Sequence, residues 1–521
     1  RYPFHFHKAG INDPENPGIA IGNAIFGSPG WGMTHHDSNA IFHNNAIFDA
    51  FGAGMVGETG NETGTWTDNI VIKSQGQDKS HKDAGLVTRF DNGATGAGYF
   101  FQGRMIKTRN NVAAGTRVGY LFMHRSANPA LTSANMINFK ASLTDFPDVT
   151  RNGVLPPYVD GDGNPNMQDT DTSQIPILGF NDNEVFGSGQ GLRVIKSNPQ
   201  QTHDVHTHLK NFTAWNVYQG VGLEYTAHYL MENFDLIGSP TNGFAEALNG
   251  VATGPNAMDL VFLNTKITGF QDGFNFSRNF VTPIEDEDVG YVMIDPVFSD
   301  VDNNYDNFNP NQDLELTEAD LVPGRFTLDL EPLVIDGDNM LFAGTKTDSI
   351  GTYDLEPFME SLDYRGRKGK MPETIGLVDG YFRTSTGTPY VLVKEIYTDR
   401  PTGKLTKIAR PVNISAYESQ FGQSWSAWGE AFQAGVIDFS SAAPTAVADT
   451  VSVRPDRKTL IEDFIDNDTD PENDTLRLDG FSQPEHGQAF QRGNDILYRP
   501  DFDFEGEDRI RYWVTDDNGN F

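Results

Sequence analysis

The sequence of 521 residues contains no cysteine, so disulfide bonds contribute nothing to its stability. An extracellular bacterial protein is compatible with this absence, whereas a secreted animal ectodomain is much less so. No apolar run approaches the roughly 18 residues that a transmembrane helix needs, so no membrane span is predicted.

Positive charge is also scarce, because 38 Lys and Arg residues oppose 72 Asp and Glu residues, and the formal net charge is −34. Such acidity argues against a nucleic-acid partner. It also argues against direct attraction to polyanionic sugars unless cationic residues are concentrated locally. The composition fits a secreted or cell-surface bacterial protein that binds calcium or works in salty water.

A short pattern repeats near the start of the chain. The letters NAIF followed by a GxGM step occupy residues 23–33 and return at 45–55, a shift of 22 residues. One coil of a parallel β-helix is about this long, and equivalent residues of neighbouring coils lie roughly 4.8 Å apart. A second echo with the same shift relates residues 211–212 to 233–234. Because the chain begins in the middle of the pattern, we expect a signal peptide and further coils upstream.

The predicted fold class is all-β, with a separate architecture for each of three regions. Residues 1–283 are predicted to form a right-handed parallel β-helix, with a long loop insertion at about 134–174. Alternating strands and hairpin turns over 284–441 indicate a β-sandwich accessory domain. Residues 442–521 are predicted to form a cadherin-like or Ig-like β-sandwich.

The first coils concentrate histidines on one predicted surface. The 22-residue shift places His36 directly beneath Glu58. The opening run RYPFHFH at residues 1–7 fits the same frame after a step of 29 residues, with His7 at the place of His36. Strand alternation then turns the aromatic residues of this run toward the core and its histidines outward. A single surface histidine is usually idle, but the chain has only 12 histidines and this cluster holds several of them.

This cluster is the candidate site for sugar chemistry. The residues expected to act as acids, bases or proton carriers are His7, His36, Asp49 and Glu58. Those expected to bind or orient the substrate are Arg1, which would clamp a uronate carboxylate, and His5, His35, Asp37, Glu224 and Tyr225. Hydrolysis requires two carboxyl groups at a defined separation, whereas a lyase requires a base that works near pH 7 and a cation beside the uronate.

The opening run, the HHDSN run at 35–39 and the FDAFGAG run at 48–54 together resemble the β-helix region of animal hyaluronan-degrading proteins and their bacterial relatives. The resemblance covers about the first 280 residues. It implies a β-helix with a polysaccharide-facing groove, and it favours a hydrolase.

Two acidic runs indicate structural Ca²⁺. In the long insertion, Asp160, Asp162 and Asn164 place oxygen-bearing side chains at alternate positions, although a plain acidic turn has the same pattern. The second run, DNDTDPEND at 466–474, belongs to a segment at 444–521 that resembles a cadherin-like tandem repeat of bacterial surface proteins. The resemblance implies that Ca²⁺ binds between such modules, that further repeats of the same chain follow, and that the ligands here are Asp466, Asp468, Asp470 and Asp474.

Three functional hypotheses follow. The first is an extracellular glycoside hydrolase or lyase acting on a uronate-containing polysaccharide. The second is a non-catalytic adhesin in which the β-helix is a binding or spacer module on a calcium-stiffened stalk. The third is a transition-metal site at the histidine column, built from two histidines and one carboxylate.

Overall fold

The computed structural model of the chain describes the β-helix coils, parts of the middle region and most of the C-terminal domain. The described residues are 3–10, 15–76, 96–123, 140–142, 158–159, 165–166, 169–172, 175–195, 207–224, 226–239, 247–254, 257–275, 279–280, 291–294, 296–306, 326–336, 339–348, 352–354, 371–383, 389–399, 404–413, 444–470, 475–481, 484–510 and 512–515. Their regular elements are all β-strands. None of the described segments is a helix long and apolar enough to cross a membrane.

Parallel strands stack into the three faces of a β-helix. The first face contains Phe4–His7, Met33–His36, Met55–Gly57, Ala97–Phe101, Val118–Met123, Gln190–Ile195, Gln219–Glu224, Asn249–Thr253, Asp272–Asn275 and Asn303–Asp306. The second face contains Gly18–Ile21, Asn39–His43, Thr63–Thr67, Ile106–Arg109, Phe180–Asn181, Met258–Leu263 and Tyr291–Ile294. The third face contains Ala24–Phe26, Ala46–Ala50, Ile70–Ser74, Val112–Ala114, Glu184–Phe186, Lys266–Thr268 and Val297–Ser299. Two long strands, Thr207–Val217 and Ala227–Gly238, belong to both the second and the third face.

The register between coils follows the sequence repeat. Ala24 pairs with Ala46, which confirms the 22-residue step, and His7 pairs with His36, which confirms the 29-residue step. The parallel ladder continues past the predicted boundary at residue 283, because Asn303–Asp306 still pairs in parallel with Asp272–Asn275.

Aromatic rings stack inside the coils because equivalent inward residues lie one strand spacing apart. The rings of Tyr99 and Tyr120 are parallel to within 7° at 4.8 Å. Phe101 stacks on Phe122 at 4.4 Å, and Trp66 lies 4.8 Å from Phe101. The predicted aromatic core of the helix is thus a set of continuous ring stacks.

Asparagine side chains form a ladder at the corner between the second and third faces. Asn69 Nδ2 donates to Asn111 Oδ1 and to the Phe42 carbonyl, each at 2.9 Å. Asn69 Oδ1 accepts from the backbone N–H and the side-chain amide of Asn45. The ladder, which runs through Asn23, Asn45, Asn69, Asn111 and Asn183, satisfies backbone groups at a buried corner.

The strands outside the β-helix are antiparallel. Lys140–Ser142 pairs with Asp169–Asp171, and Tyr158–Val159 with Pro165–Asn166, within the predicted insertion. In the middle region, Phe326–Asp336, Asn339–Asp348 and Thr352–Asp354 form one antiparallel run that also pairs with Asn279–Phe280 and Tyr291–Ile294. Met371–Arg383, Pro389–Asp399 and Lys404–Asn413 form a separate sheet. The β-sandwich predicted for 284–441 stays a prediction.

The C-terminal domain has two small sheets around one apolar core. Thr459–Ile461, Asp495–Pro500 and Gly487–Arg492 form the first sheet, and Arg477–Phe481 pairs with Tyr512–Thr515 in the second. Its core side chains are Phe464, Leu478, Phe481, Ala489 and Ile496.

This domain docks against the second face of the β-helix through buried cations. Arg109 Nη1 lies 2.6 Å from Asp501 Oδ2, and Arg109 Nη2 donates to the Pro484 carbonyl at 3.2 Å. Lys107 Nζ donates to the Gly487 carbonyl at 3.1 Å. Burial lowers the pKa of Lys107 to about 7, and the neighbouring Arg109 charge adds to that shift. The helix therefore supplies positive groups to an acidic partner domain.

We expect the asparagine ladder to be a main source of β-helix stability. Replacing Asn69 with Ala leaves the Phe42 carbonyl and the Asn45 N–H without their side-chain partners, at a cost of about 2–3 kcal/mol. The matched change Asn23→Ala, at the half-buried end of the ladder, should cost less than about 1 kcal/mol. Guanidinium unfolding followed by near-ultraviolet circular dichroism measures both, and equal effects of the two changes would contradict the expectation.

We expect Arg109→Ala to loosen the docked C-terminal domain, because the change removes the ion pair of Arg109 with Asp501 and the hydrogen bond to the Pro484 carbonyl. The radius of gyration from small-angle X-ray scattering should rise, and amide exchange of residues 106–109 should accelerate. The control is Arg477→Ala, which removes an exposed arginine of the C-terminal domain. Unchanged scattering and exchange in Arg109→Ala would show that the contact does not hold the domains together.

Candidate functional site

The outward side of the first two strands of the first face carries the histidine cluster. Along Phe4–His7 the phenylalanines are half-buried and the histidines exposed, as strand alternation predicts. His5 pairs in register with Thr34, and His7 with His36. Asp37 then adopts a left-handed backbone conformation, with φ of 47°, which turns the chain from the first face to the second.

A histidine–carboxylate hydrogen bond lies at the centre of this cluster. His36 Nδ1 is 2.9 Å from Glu58 Oε2, and the two side chains are only 23% and 19% exposed. The His7 ring lies 4.5 Å from the His36 ring, and the His5 ring lies 5.6 Å from it. The predicted stacking of His7, His36 and Glu58 is therefore present.

The electrostatics of the cluster favour neutral imidazole at His5. Burial lowers the pKa of His5, and the Glu58 carboxylate opposes that shift, while His36 and His7 add to it. If His36 donates from Nδ1 to Glu58, its Nε2 is the basic nitrogen. The arrangement can thus accept, hold and return a proton.

His35 lies on the opposite side of the strand from His36 and does not reach the site surface. Its side chain is fully buried, its Nε2 is 2.8 Å from the Ser38 carbonyl, and its ring lies 5.5 Å from Phe42. Burial lowers the pKa of His35 to about 3. Its predicted role in substrate binding is wrong, because neighbouring residues of a strand point to opposite faces.

A buried glutamate that the sequence did not indicate supports the corner beside the site. Glu62 has no exposed surface, and its carboxylate accepts from the backbone N–H groups of Thr59, Gly60 and Asp37. Burial raises the pKa of Glu62, and these three donors oppose the shift. Asp37 Oδ1 in turn accepts from Asn61 Nδ2 at 2.5 Å. No spacing pattern distinguishes Glu62 from a solvated turn residue.

Two of the predicted carboxylates lie away from the cluster. Asp49 lies on the third face, where its carboxylate is 3.0 Å from Lys73 Nζ. Glu224 lies in the same outward column as His36 and Glu58, four coils beyond Glu58. The intervening positions are Gln102, Met123 and Ile195. Four strand spacings put Glu224 about 19 Å from Glu58. Its carboxylate is 2.6 Å from Arg193 Nη2. Arg1 and Tyr225 lie outside the described residues.

The column of outward residues that begins at His5 is apolar beyond its first two members. After His5 and Thr34 it continues with Val56, Phe100 and Leu121. These three side chains are buried, and they pack in a separate cluster with Trp31 and Ala53. The polar surface of the first face is therefore narrower than the sequence indicated.

The candidate metal ligands are the histidines of the cluster and the acidic residues of the two predicted calcium runs. Within the described ranges, His5, His7 and His36 form the one set of three donors close enough to hold an ion, with all ligand atoms within 4.8 Å of one another. Asp468 Oδ1 instead accepts from the Val447 N–H and from the Tyr512 hydroxyl. Asp466 and Asp470 are described without joining such a set, and Asp160, Asp162, Asn164 and Asp474 lie outside the described residues. The calcium sites stay predictions.

Two family models match the two ends of the chain. Residues 1–156, which contain the whole histidine cluster, match the CEMIP beta-helix family model, and residues 441–521 match the bacterial Ig domain model. The predicted order, a β-helix similar to that of hyaluronan-degrading proteins followed by an Ig-like repeat, is confirmed. No curated protein sequence matches the chain. The first match is to a carbohydrate-related family, and the second is to a bacterial Ig domain.

We expect stability measurements to separate the two neighbouring histidines. His35→Ala opens a cavity beside Phe42 and removes the hydrogen bond to Ser38, and should lower the free energy of unfolding by about 2–4 kcal/mol. His36→Ala changes a partly exposed side chain and should cost less than about 1 kcal/mol. Chemical denaturation of the two variants measures both changes. A larger loss of unfolding free energy in His36→Ala than in His35→Ala would contradict the burial of His35.

Proposed function

We propose that this chain is an extracellular bacterial enzyme that cleaves a uronate-containing polysaccharide bound along the first face of its β-helix. The observation that carries the proposal is the hydrogen bond between His36 and Glu58, with His7 beside it on an accessible surface. The match of this same segment to a hyaluronan-degrading family supports it. A spacer module has no need of a histidine–carboxylate pair on its surface.

His36 and Glu58 form an acid–base unit. Glu58 holds the His36 ring in one orientation, so the Nε2 atom of His36 can take a proton from the reacting group. A protonated His7, with its ring 4.5 Å from the His36 ring, would give its proton to the leaving oxygen and regain one from protonated His36 through solvent. Glu62 acts as a positioning residue, since it holds the corner that carries Glu58.

The carboxylate positions bear on the choice between hydrolysis and elimination. Two-carboxylate glycoside hydrolysis needs groups about 5–9.5 Å apart, and Glu224, at about 19 Å from Glu58, is too distant to be the partner. Asp49 lies on another face. With Glu224 and Asp49 excluded, the second role in a hydrolysis falls to a histidine or to Asp37, which follows His36 in the chain. This same observation supports elimination as a second candidate, because a lyase needs a histidine base rather than a second carboxylate.

Local charge supplies the attraction that the whole chain lacks. The net charge of −34 repels a polyuronate, but His5, His7 and Lys8 are exposed together on the first face. Lys8 is a positive charge at that point, and because burial lowers the pKa of His5, the charge of His5 is added only in more acidic solution. Binding should therefore strengthen as the pH falls and weaken in high salt.

Calcium and location complete the proposal. We place structural Ca²⁺ at the acidic run with Asp466, Asp468, Asp470 and Asp474, where several carboxylates repel one another unless a cation neutralises them. A second Ca²⁺ is proposed in the insertion at Asp160, Asp162 and Asn164. The bacterial Ig domain is consistent with a secreted or surface-attached protein.

The decisive assay is cleavage of uronate-containing polysaccharides, with new reducing ends and the ultraviolet absorbance of unsaturated products measured together. We expect His36→Ala and Glu58→Ala each to lower the rate by about 10²–10⁴-fold, the usual contribution of a positioned acid or base. Glu184→Gln, on the third face, is the matched control and should retain full activity. Reducing ends without absorbance identify a hydrolase, and added absorbance identifies a lyase.

Polysaccharide binding without cleavage, unchanged in His36→Ala, would overturn the catalytic proposal and leave the adhesin hypothesis.

A further inference from the structure

Three imidazoles of the first face converge in a geometry that suits a metal ion. His5 and His7 are two residues apart on one strand and thus share its outward side, and His36 lies beside His7 on the next strand. The three ring centroids are separated by 4.5, 5.3 and 5.6 Å. One candidate ligand atom from each ring lies within 4.8 Å of the others.

The distances need only a small side-chain adjustment. Nitrogens bound to one tetrahedral ion at 2.0–2.1 Å are about 3.4 Å apart. The upper limit of 4.8 Å therefore exceeds the bound separation by about 1.4 Å. His5 and His7 are exposed, so their rings can close this gap by rotating without disturbing the core.

The chemistry of the donors selects the class of ion. Imidazole nitrogens suit Zn²⁺ and other first-row transition metals, whereas Ca²⁺ requires oxygen ligands. Three protein ligands also leave at least one coordination position for water or substrate, which is typical of catalytic rather than structural zinc.

Glu58 supplies the outer support that such sites usually have. A metal-bound histidine commonly donates its other ring N–H to a carboxylate, which fixes the ring and makes it a better ligand. His36 Nδ1 already lies 2.9 Å from Glu58 Oε2, so the Nε2 atom is the one left for the ion.

We infer that His5, His7 and His36 form a binding site for a divalent first-row transition metal ion such as Zn²⁺, with Glu58 orienting His36. The site deepens the proposed function, since it uses the same cluster, but metal binding itself does not require that the chain cleaves a polysaccharide. A bound ion would supply a positive charge for a uronate carboxylate or an activated water. The histidines would then act as ligands, and the proton would be carried by that water.

Metal binding is measured on the full chain after chelator treatment. Zn²⁺ is titrated by calorimetry in excess Ca²⁺, which occupies oxygen-lined sites, and Co²⁺ is added in a parallel sample to record its visible spectrum. We expect one Zn²⁺ per chain and a Co²⁺ spectrum of low coordination number. His5→Ala and His36→Ala should abolish both, and Glu58→Ala should weaken binding by about 10–100-fold.

The control is His486→Ala, which removes a histidine of the C-terminal domain and should leave binding unchanged. Circular dichroism confirms that each variant is folded, and Glu58→Ala tests the site without removing a ligand. Absence of stoichiometric binding, or equal binding in every folded variant, would overturn the inference.

The two proposals fail in different ways. Histidine-dependent Zn²⁺ binding without cleavage of any polysaccharide supports the metal site and counts against the enzyme. Cleavage that depends on His36 but survives chelation, in a chain that binds no Zn²⁺, overturns the metal site and leaves the enzyme.

Discussion

The backbone hydrogen bonds between successive coils are the constraint on which the rest of this structure depends. They hold equivalent residues one strand spacing apart, so each side chain meets the same neighbours above and below. The asparagine ladder, the stacked tyrosines and the contact between His36 and Glu58 all result from that one register. A slip of one residue would turn His35 outward and drive His36 into the aromatic core.

Repeat spacing and strand alternation were sufficient to predict the centre of the site. The 22-residue step predicted the contact of His36 with Glu58, and alternation predicted which residues of Phe4–His7 face outward. The same alternation, applied to Met33–His36, turns His35 inward and His36 outward, as the structure shows.

Other features depend on how the coil turns, and spacing alone does not determine this. Asp49 belongs to the third face because the chain has already turned two corners after His36. Glu62 is buried at a corner where Thr59 and Gly60 of its own coil and Asp37 of the preceding coil supply three N–H donors. Docking of the C-terminal domain depends on Lys107 and Arg109, which look like ordinary surface residues until an acidic domain covers them.

The alternation of the first-face strands also has an evolutionary consequence. Phe4 and Phe6 fill the interior, while His5 and His7 between them contribute little to packing. Natural variation can therefore exchange these outward histidines without loss of the aromatic core, whereas in the following coils the outward Val56 and Phe100 are fixed by their own buried cluster. New ligand preferences are thus acquired at the first coils, on a scaffold whose inherited stability is left intact.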